Sequence, residues 1–289
     1  MSVVDAFLLA KRADGLTPKT VQWHRSSLLT FSKWIEENSH HPNPETWNVT
    51  MLREYVVHLQ STTYTAATIT TKVQSLLVFL RWLHAEDYTT TNLAAKIKKP
   101  VTPKTTLSTF SHAEMRKLLK ACQSERDKVI VSLLYDCGLR ANELCTLTLD
   151  RVVFEQGVLT VHGKGRKDRI VPFSATTAKA MRRYLNKEHS GSAYLIESRS
   201  HKCLSPNSLL QVLYRLGTRA NVEDVHPHKF RHTFATEYLR NGGDPLTLQR
   251  LLGHTTLMMT NHYVTMQTSD LVQGHLTASP LTNLTKTRR

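Results

Sequence analysis

Apolar residues recur at helical spacing through most of this chain, and polar punctuation separates the runs. In residues 17–38 Thr17 is placed to cap a helix and Pro18 fits its first position. Val21, Leu28, Phe31 and Ile35 then recur on one face. Residues 66–86 repeat the pattern with Ile69, Val73, Leu76, Leu77, Leu80 and Leu83, and residues 49–60 form a shorter helical candidate between them. The first hundred residues therefore read as a small all-helical unit, with about sixteen residues ahead of its first helix.

The stretch from Lys96 to Thr106 is basic, holds Pro100 and Pro103, and has no periodicity. It reads as a linker whose lysines either track a nucleic-acid backbone or are simply solvated. A second unit starts at once. Ser111 and Glu114 have capping-box spacing, and Met115, Leu118 and Leu119 supply a buried stripe behind them. Residues 126–137 form an apolar helix that Gly138 can close. Residues 158–161 and 170–173 read as two strands around a glycine-bearing basic turn, Gly163-Lys164-Gly165-Arg166-Lys167-Asp168. Further helices are expected at about 205–220, 227–240, 245–252 and 256–265, and residues 276–289 form a polar tail. The class is α+β: mainly helical, with a small sheet in the second unit. The expected division is 1–95, a linker over 96–106, and 107–289.

Composition narrows the partners. Of 289 residues, 38 are Lys or Arg and 23 are Asp or Glu, a formal charge of +15 that favours a polyanion such as nucleic acid. No run approaches the ~20 apolar residues of a membrane span, and the start lacks a secretory pattern. The four cysteines form no Cys-x-x-Cys pair and suit a reducing, cytoplasmic setting. Nothing points to a metal or organic cofactor.

The candidate chemistry lies in the second unit. His228 and Arg231, three apart after Pro227, share a face near a helix start, where free amides and partial positive charge suit phosphate. Asp244-Pro245 opens a helix that Gly253 can close in a left-handed cap, which holds His254 in a fixed turn. Tyr263 follows nine residues on. Arg140 comes just after Gly138, and Glu143 is near enough in sequence to orient it. Lys164 sits in the glycine turn, with Lys167 as its rival. Taken singly, each has a plainer reading: a capping histidine, a surface arginine, a solvated lysine, a half-buried tyrosine. Taken together they suit one phosphodiester. Two arginines neutralise it, a histidine accepts the proton of a tyrosine whose unperturbed pKa is near 10, and a lysine protonates the leaving alkoxide, with no metal required.

The set resembles the tyrosine recombinase (phage integrase) family. The resemblance rests on Gly138-Leu139-Arg140-Ala141-Asn142-Glu143-Leu144, Gly163-Lys164-Gly165, His226 through Thr236, and Leu251-Leu252-Gly253-His254 with Tyr263. By motif it covers about 107–275, and by size and type alone the helical unit before it. It implies a two-domain DNA clamp with an all-helical N-terminal core-binding (SAM-like) DNA-binding domain. It implies catalytic Arg140, Lys164, His228, Arg231 and His254, with Tyr263 as nucleophile and Glu143 in support. It also implies cutting and rejoining of double-stranded DNA at specific core sites through a 3′-phosphotyrosyl link. A homotetramer on paired sites would exchange strands through a Holliday junction, and a C-terminal segment near 264–289 would dock on a neighbour; whether accessory proteins are also partners is left open by the sequence. The short lead-in before the first helix leans towards a simple recombinase: a resolvase, a dimer resolver or a minimal mobile-element integrase.

Three other readings compete. A type IB topoisomerase shares the chemistry but relaxes DNA without pairing sites. A non-enzymatic regulator would use residues 245–265 as a helix-turn-helix. A zinc site could draw on His226, His228 and His232, although no thiol is near.

Overall fold

The computed structural model describes residues 2–38, 40–100, 108–163, 168–198 and 200–253. The chain divides into two compact units, residues 1–105 and 106–289, each with its own apolar cluster.

The first unit is all helical: α1 (Val3–Ala13), α2 (Pro18–Glu37), α3 (Val49–Ser61) and α4 (Ala66–Ala85). Side chains at the helix starts accept from backbone amides that lack intrahelical partners: Thr17 from Thr20, Asn48 from Met51 and Thr65 from Thr68. Leu28, Phe31, Leu52, Leu59, Val73, Leu80 and Leu83 are fully or almost fully buried, as the helical spacing implies. The lead-in expected before Pro18 is itself helix α1, which corrects that reading. Ser2 caps it, and Phe7 packs edge-on against the rings of His24, Phe79 and Trp82. Its apolar pattern spans barely two turns, too short to stand alone, and tertiary burial completes it.

The second unit opens with α5 (His112–Ala121), whose start has the full Ser111–Glu114 capping box, and α6 (Glu125–Cys137). The single-turn α7 (Ala141–Cys145) follows. Next comes an antiparallel sheet of β1 (Val152–Val153), β2 (Val158–His162) and β3 (Asp168–Pro172) in the order β1-β2-β3. Helices α8 (Ala175–Lys187), α9 (Pro206–Ala220), α10 (Pro227–Arg240) and α11 (Pro245–Leu252) complete it. Helix α6 lies in the middle, against α8 and α10, and α11 packs on α10 and β3.

Three features differ from the sequence expectation. Strand β1 is only two residues long and exists through its pairing with β2. Helix α8 carries few apolar residues; Thr177, Ala178, Met181 and Tyr184 are its buried face. Strand β3 begins at Asp168 rather than Ile170, so Val161 pairs with Arg169 and Leu159 with Val171. The turn at 164–167, the expected helix at 256–265, the tail and most of the linker lie outside the described residues. Among the described residues no helix is long and apolar enough to cross a membrane.

Candidate active site

The site is built at the junction of four chain segments. Gly138 ends α6 in the left-handed region at φ 58°, and a Cβ there would lie 2.3 Å from the Phe234 ring. That close approach turns the chain so that Leu139 is buried while Arg140 stands at the start of α7. Glu143, three residues on, turns back to it. Its carboxylate accepts from the Arg140 backbone N–H at 2.8 Å and from Arg140 Nη1 at 2.9 Å.

The start of α10 supplies the second arginine. His226 is the cap, its Nδ1 accepting from the Lys229 amide, and Pro227 occupies the first turn. Phe230 and Phe234 face inward. Arg231 does so too and is only 4% exposed, so the surface-arginine reading is excluded. Its Nη1 donates to Gly138 O at 2.8 Å and its Nη2 to Leu252 O at 2.6 Å. His228, one turn earlier, has its pKa lowered by burial first and then by His226, Arg231 and Arg140. Its imidazole is therefore neutral at physiological pH and able to accept a proton.

Helix α11 brings these arginines together. Asp244 caps its start, and Gly253 closes it in the left-handed region with its N–H on the Gln249 and Arg250 carbonyls. The next three carbonyls each accept from a different arginine: Leu251 O from Arg169 Nε at 2.6 Å, Leu252 O from Arg231 Nη2, and Gly253 O from Arg140 Nη2 at 3.4 Å. A helix C-terminus carries unpaired carbonyls and partial negative charge, so three guanidinium groups are well placed there.

Arg169 was not expected from the sequence. It sits on β3 in the register of buried Val171, opposite buried Val161. Its Nη1 and Nη2 fork onto both oxygens of Glu143 at 2.7 and 2.8 Å. Burial raises the Glu143 pKa, but the Arg169 fork and Arg140 outweigh it and hold the carboxyl at about 2. The signal in the sequence is a charged residue two positions before Val171, on the inward face of an alternating strand. A strand started at Ile170 hides it. Glu143 thus orients Arg140, as its spacing implied, and holds Arg169 as well.

Arg140, Glu143, His228 and Arg231 are thus placed in this corner. Lys164, its rival Lys167, His254 and Tyr263 lie outside the described residues. Of the three histidines weighed as zinc ligands, His226 is engaged as the α10 cap. No group of three metal-ligating side chains occurs among the described residues.

Known proteins resemble the chain over almost its full length. The phage integrase family matches residues 108–269, and the phage integrase N-terminal SAM-like domain matches residues 5–87. The tyrosine recombinase XerA of Thermococcus kodakarensis is 33% identical over 267 residues, 90% of this chain and 89% of that protein. The tyrosine recombinase XerC of Staphylococcus epidermidis is 31% identical over 289 residues, 96% of this chain and 97% of that protein. A solved structure of the Tn1549 transposon integrase in complex with a circular intermediate DNA shares the fold. Its TM-score is 0.78 at 19% identity, covering 96% of this chain and 99% of that one.

Proposed function

The chain belongs to the phage integrase family and is a site-specific tyrosine recombinase, and from that premise we propose that it cuts and rejoins double-stranded DNA through a covalent bond to Tyr263. The Tyr263 oxygen attacks the scissile phosphorus as its proton passes to His228. The bond from phosphorus to the 5′ oxygen breaks, and Lys164 protonates the departing 5′ oxygen, which leaves as a 5′-hydroxyl. Arg140, Arg231 and His254 hold the non-bridging oxygens, where negative charge grows in the transition state. The 3′-phosphotyrosyl ester keeps the bond energy, so a 5′-hydroxyl from a second duplex reverses the step and releases Tyr263. Four protomers on two core sites exchange strands in pairs through a Holliday junction. The outcome is resolution of joined replicons or movement of a mobile element.

The observation that carries this reading is the convergence of Arg140 and Arg231, ninety-one positions apart, on the neighbouring carbonyls of Gly253 and Leu252. The next residue in the chain is His254. The lowered pKa of His228 favours the neutral imidazole, the form a proton acceptor requires. The first unit and the +15 charge support a DNA-binding role in which phosphate contacts release counterions.

The test is a nicked suicide substrate carrying candidate core sites, run with wild-type protein and Tyr263→Phe on a denaturing gel. A shifted protein–DNA band is expected for wild type alone, while Tyr263→Phe keeps salt-sensitive DNA binding. Undiminished adduct in Tyr263→Phe would place the nucleophile elsewhere. Paired sites in direct repeat and on separate molecules then distinguish excision from joining, and relaxation without site dependence would favour a topoisomerase.

A further inference from the structure

We infer that Arg169 is a positioning residue of this active site, a clasp that sets Arg140, the end of α11 and strand β3 in fixed register. The inference rests on the reading that Arg140, Lys164, His228, Arg231, His254 and Tyr263 carry the reaction.

All three nitrogens of the Arg169 guanidinium are committed to the protein. Nε holds Leu251 O, and Nη1 and Nη2 hold the two oxygens of Glu143. These partners all belong to the protein, which assigns the side chain to bracing the site. Its three attachments lead to the three parts of the machinery that the chain delivers from distant segments. Through Glu143 it fixes Arg140, whose backbone N–H and Nη1 are bound to the same carboxylate. Through Leu251 O it fixes the final turn of α11, one residue from the carbonyl on Arg231 and three from His254. Through its own backbone it is part of β3, paired at Val161, five residues after Lys164.

The geometry also accounts for an arginine in this place. Its position on β3 shares the inward face with Val171, where an aliphatic side chain would serve stability at least as well as a buried ion pair. An arginine there brings a rigid fork that reads both carboxylate oxygens while a third donor points elsewhere. Lysine keeps the charge and lacks that geometry. Gly253 fits the same account: a Cβ there would lie 3.2 Å from Arg169 Cδ, so the cap that leads into His254 rests directly on the Arg169 stem.

The experiment uses the full chain and the conservative variant Arg169→Lys, with Arg169→Met as a second variant. In the free protein, hydrogen exchange over residues 249–256 and 138–143 is expected to accelerate in both variants, with α5 and α9 unchanged. Unaltered exchange in those segments would overturn the inference, whatever the activity. On saturating suicide substrate, single-turnover adduct formation by Arg169→Lys is expected to slow by about 10- to 100-fold, the cost of misplacing a reacting group by a fraction of its reach, while DNA affinity stays at the wild-type value. A wild-type rate, or a loss confined to DNA affinity, would overturn it. Guanidinium ion added to Arg169→Ala is expected to restore part of the rate, which a general loss of folding would not allow. Failure of the underlying reading looks different: wild type itself forms no adduct, and the exchange measurement still decides whether Arg169 holds the turn.

Discussion

The two units of this chain are both compact, but they bury different things. Among the described residues, the buried polar side chains of the first unit are His24, Ser27, Ser75 and Thr89, with His24 Nδ1 and Ser75 Oγ 2.8 Å apart. The second unit buries Asp127, Glu143, Glu197, Lys229 and Arg231. Ions cost several kcal/mol each to take out of water, and the cost is offset only by close partners. A unit built mainly of rings and aliphatic groups can be explained by packing alone. A unit that holds buried charges against close partners has been shaped by something besides stability, and here the fork of Arg169 on Glu143 lies in the proposed active site.

Four tests act on that contrast, and the placement of tryptophan makes them practical. All four tryptophans (Trp23, Trp34, Trp47 and Trp82) lie in the first unit, so their fluorescence follows that unit alone. The largest effect is expected from Glu143→Ala. It strips Arg169 and Arg140 of their shared carboxylate and should destabilise the second unit by about 3–5 kcal/mol, seen by circular dichroism in urea with the tryptophan transition unmoved. A comparable loss in the other unit is expected from Phe31→Ala, about 3–5 kcal/mol from an emptied ring site. It should shift the tryptophan transition and leave the rate of the DNA-bound cleavage step intact. Equal losses in both transitions from either variant would break the contrast.

Acid sharpens the difference. The Glu143 carboxyl ionises at about 2 in the folded protein against 4.5 for the free group. Its stabilisation is thus complete above pH 4.5 and is lost as pH falls towards 2, roughly 3 kcal/mol in all. In the first unit the group in question is His24, whose pKa is lowered by burial and then by Lys11. The unfolded imidazole protonates first, so that unit begins to weaken below pH 6.5, earlier in an acid titration. A tryptophan transition flat from pH 7 to 5 would contradict the His24 assignment. The smallest effect is expected from Ser111→Ala, which removes half of the α5 capping box. A loss of about 1 kcal/mol, confined to the second unit, is the expected outcome in urea.

The sequence by itself determined the local features. Thr17, Pro18, Ser111, Glu114, Gly138, Asp244 and Gly253 each act within a turn of their own position, so their effect on helix starts and stops can be read from spacing. Arg140 and Glu143 belong here as well, since three residues on a turn bring them into contact. Helix α1 and strand β1 were less legible because each is too short to form without the surface it packs on. What only the tertiary structure decided is which distant groups meet. Arg140 and Gly253 are 113 positions apart, Arg169 and Leu251 are 82 apart, and the burial of Arg231 depends on the ends of α6 and α11 together. Spacing along a chain sets the direction of a side chain for a turn or two. Beyond that range a carbonyl and a guanidinium find each other only because the packing of the elements that carry them leaves one place for both.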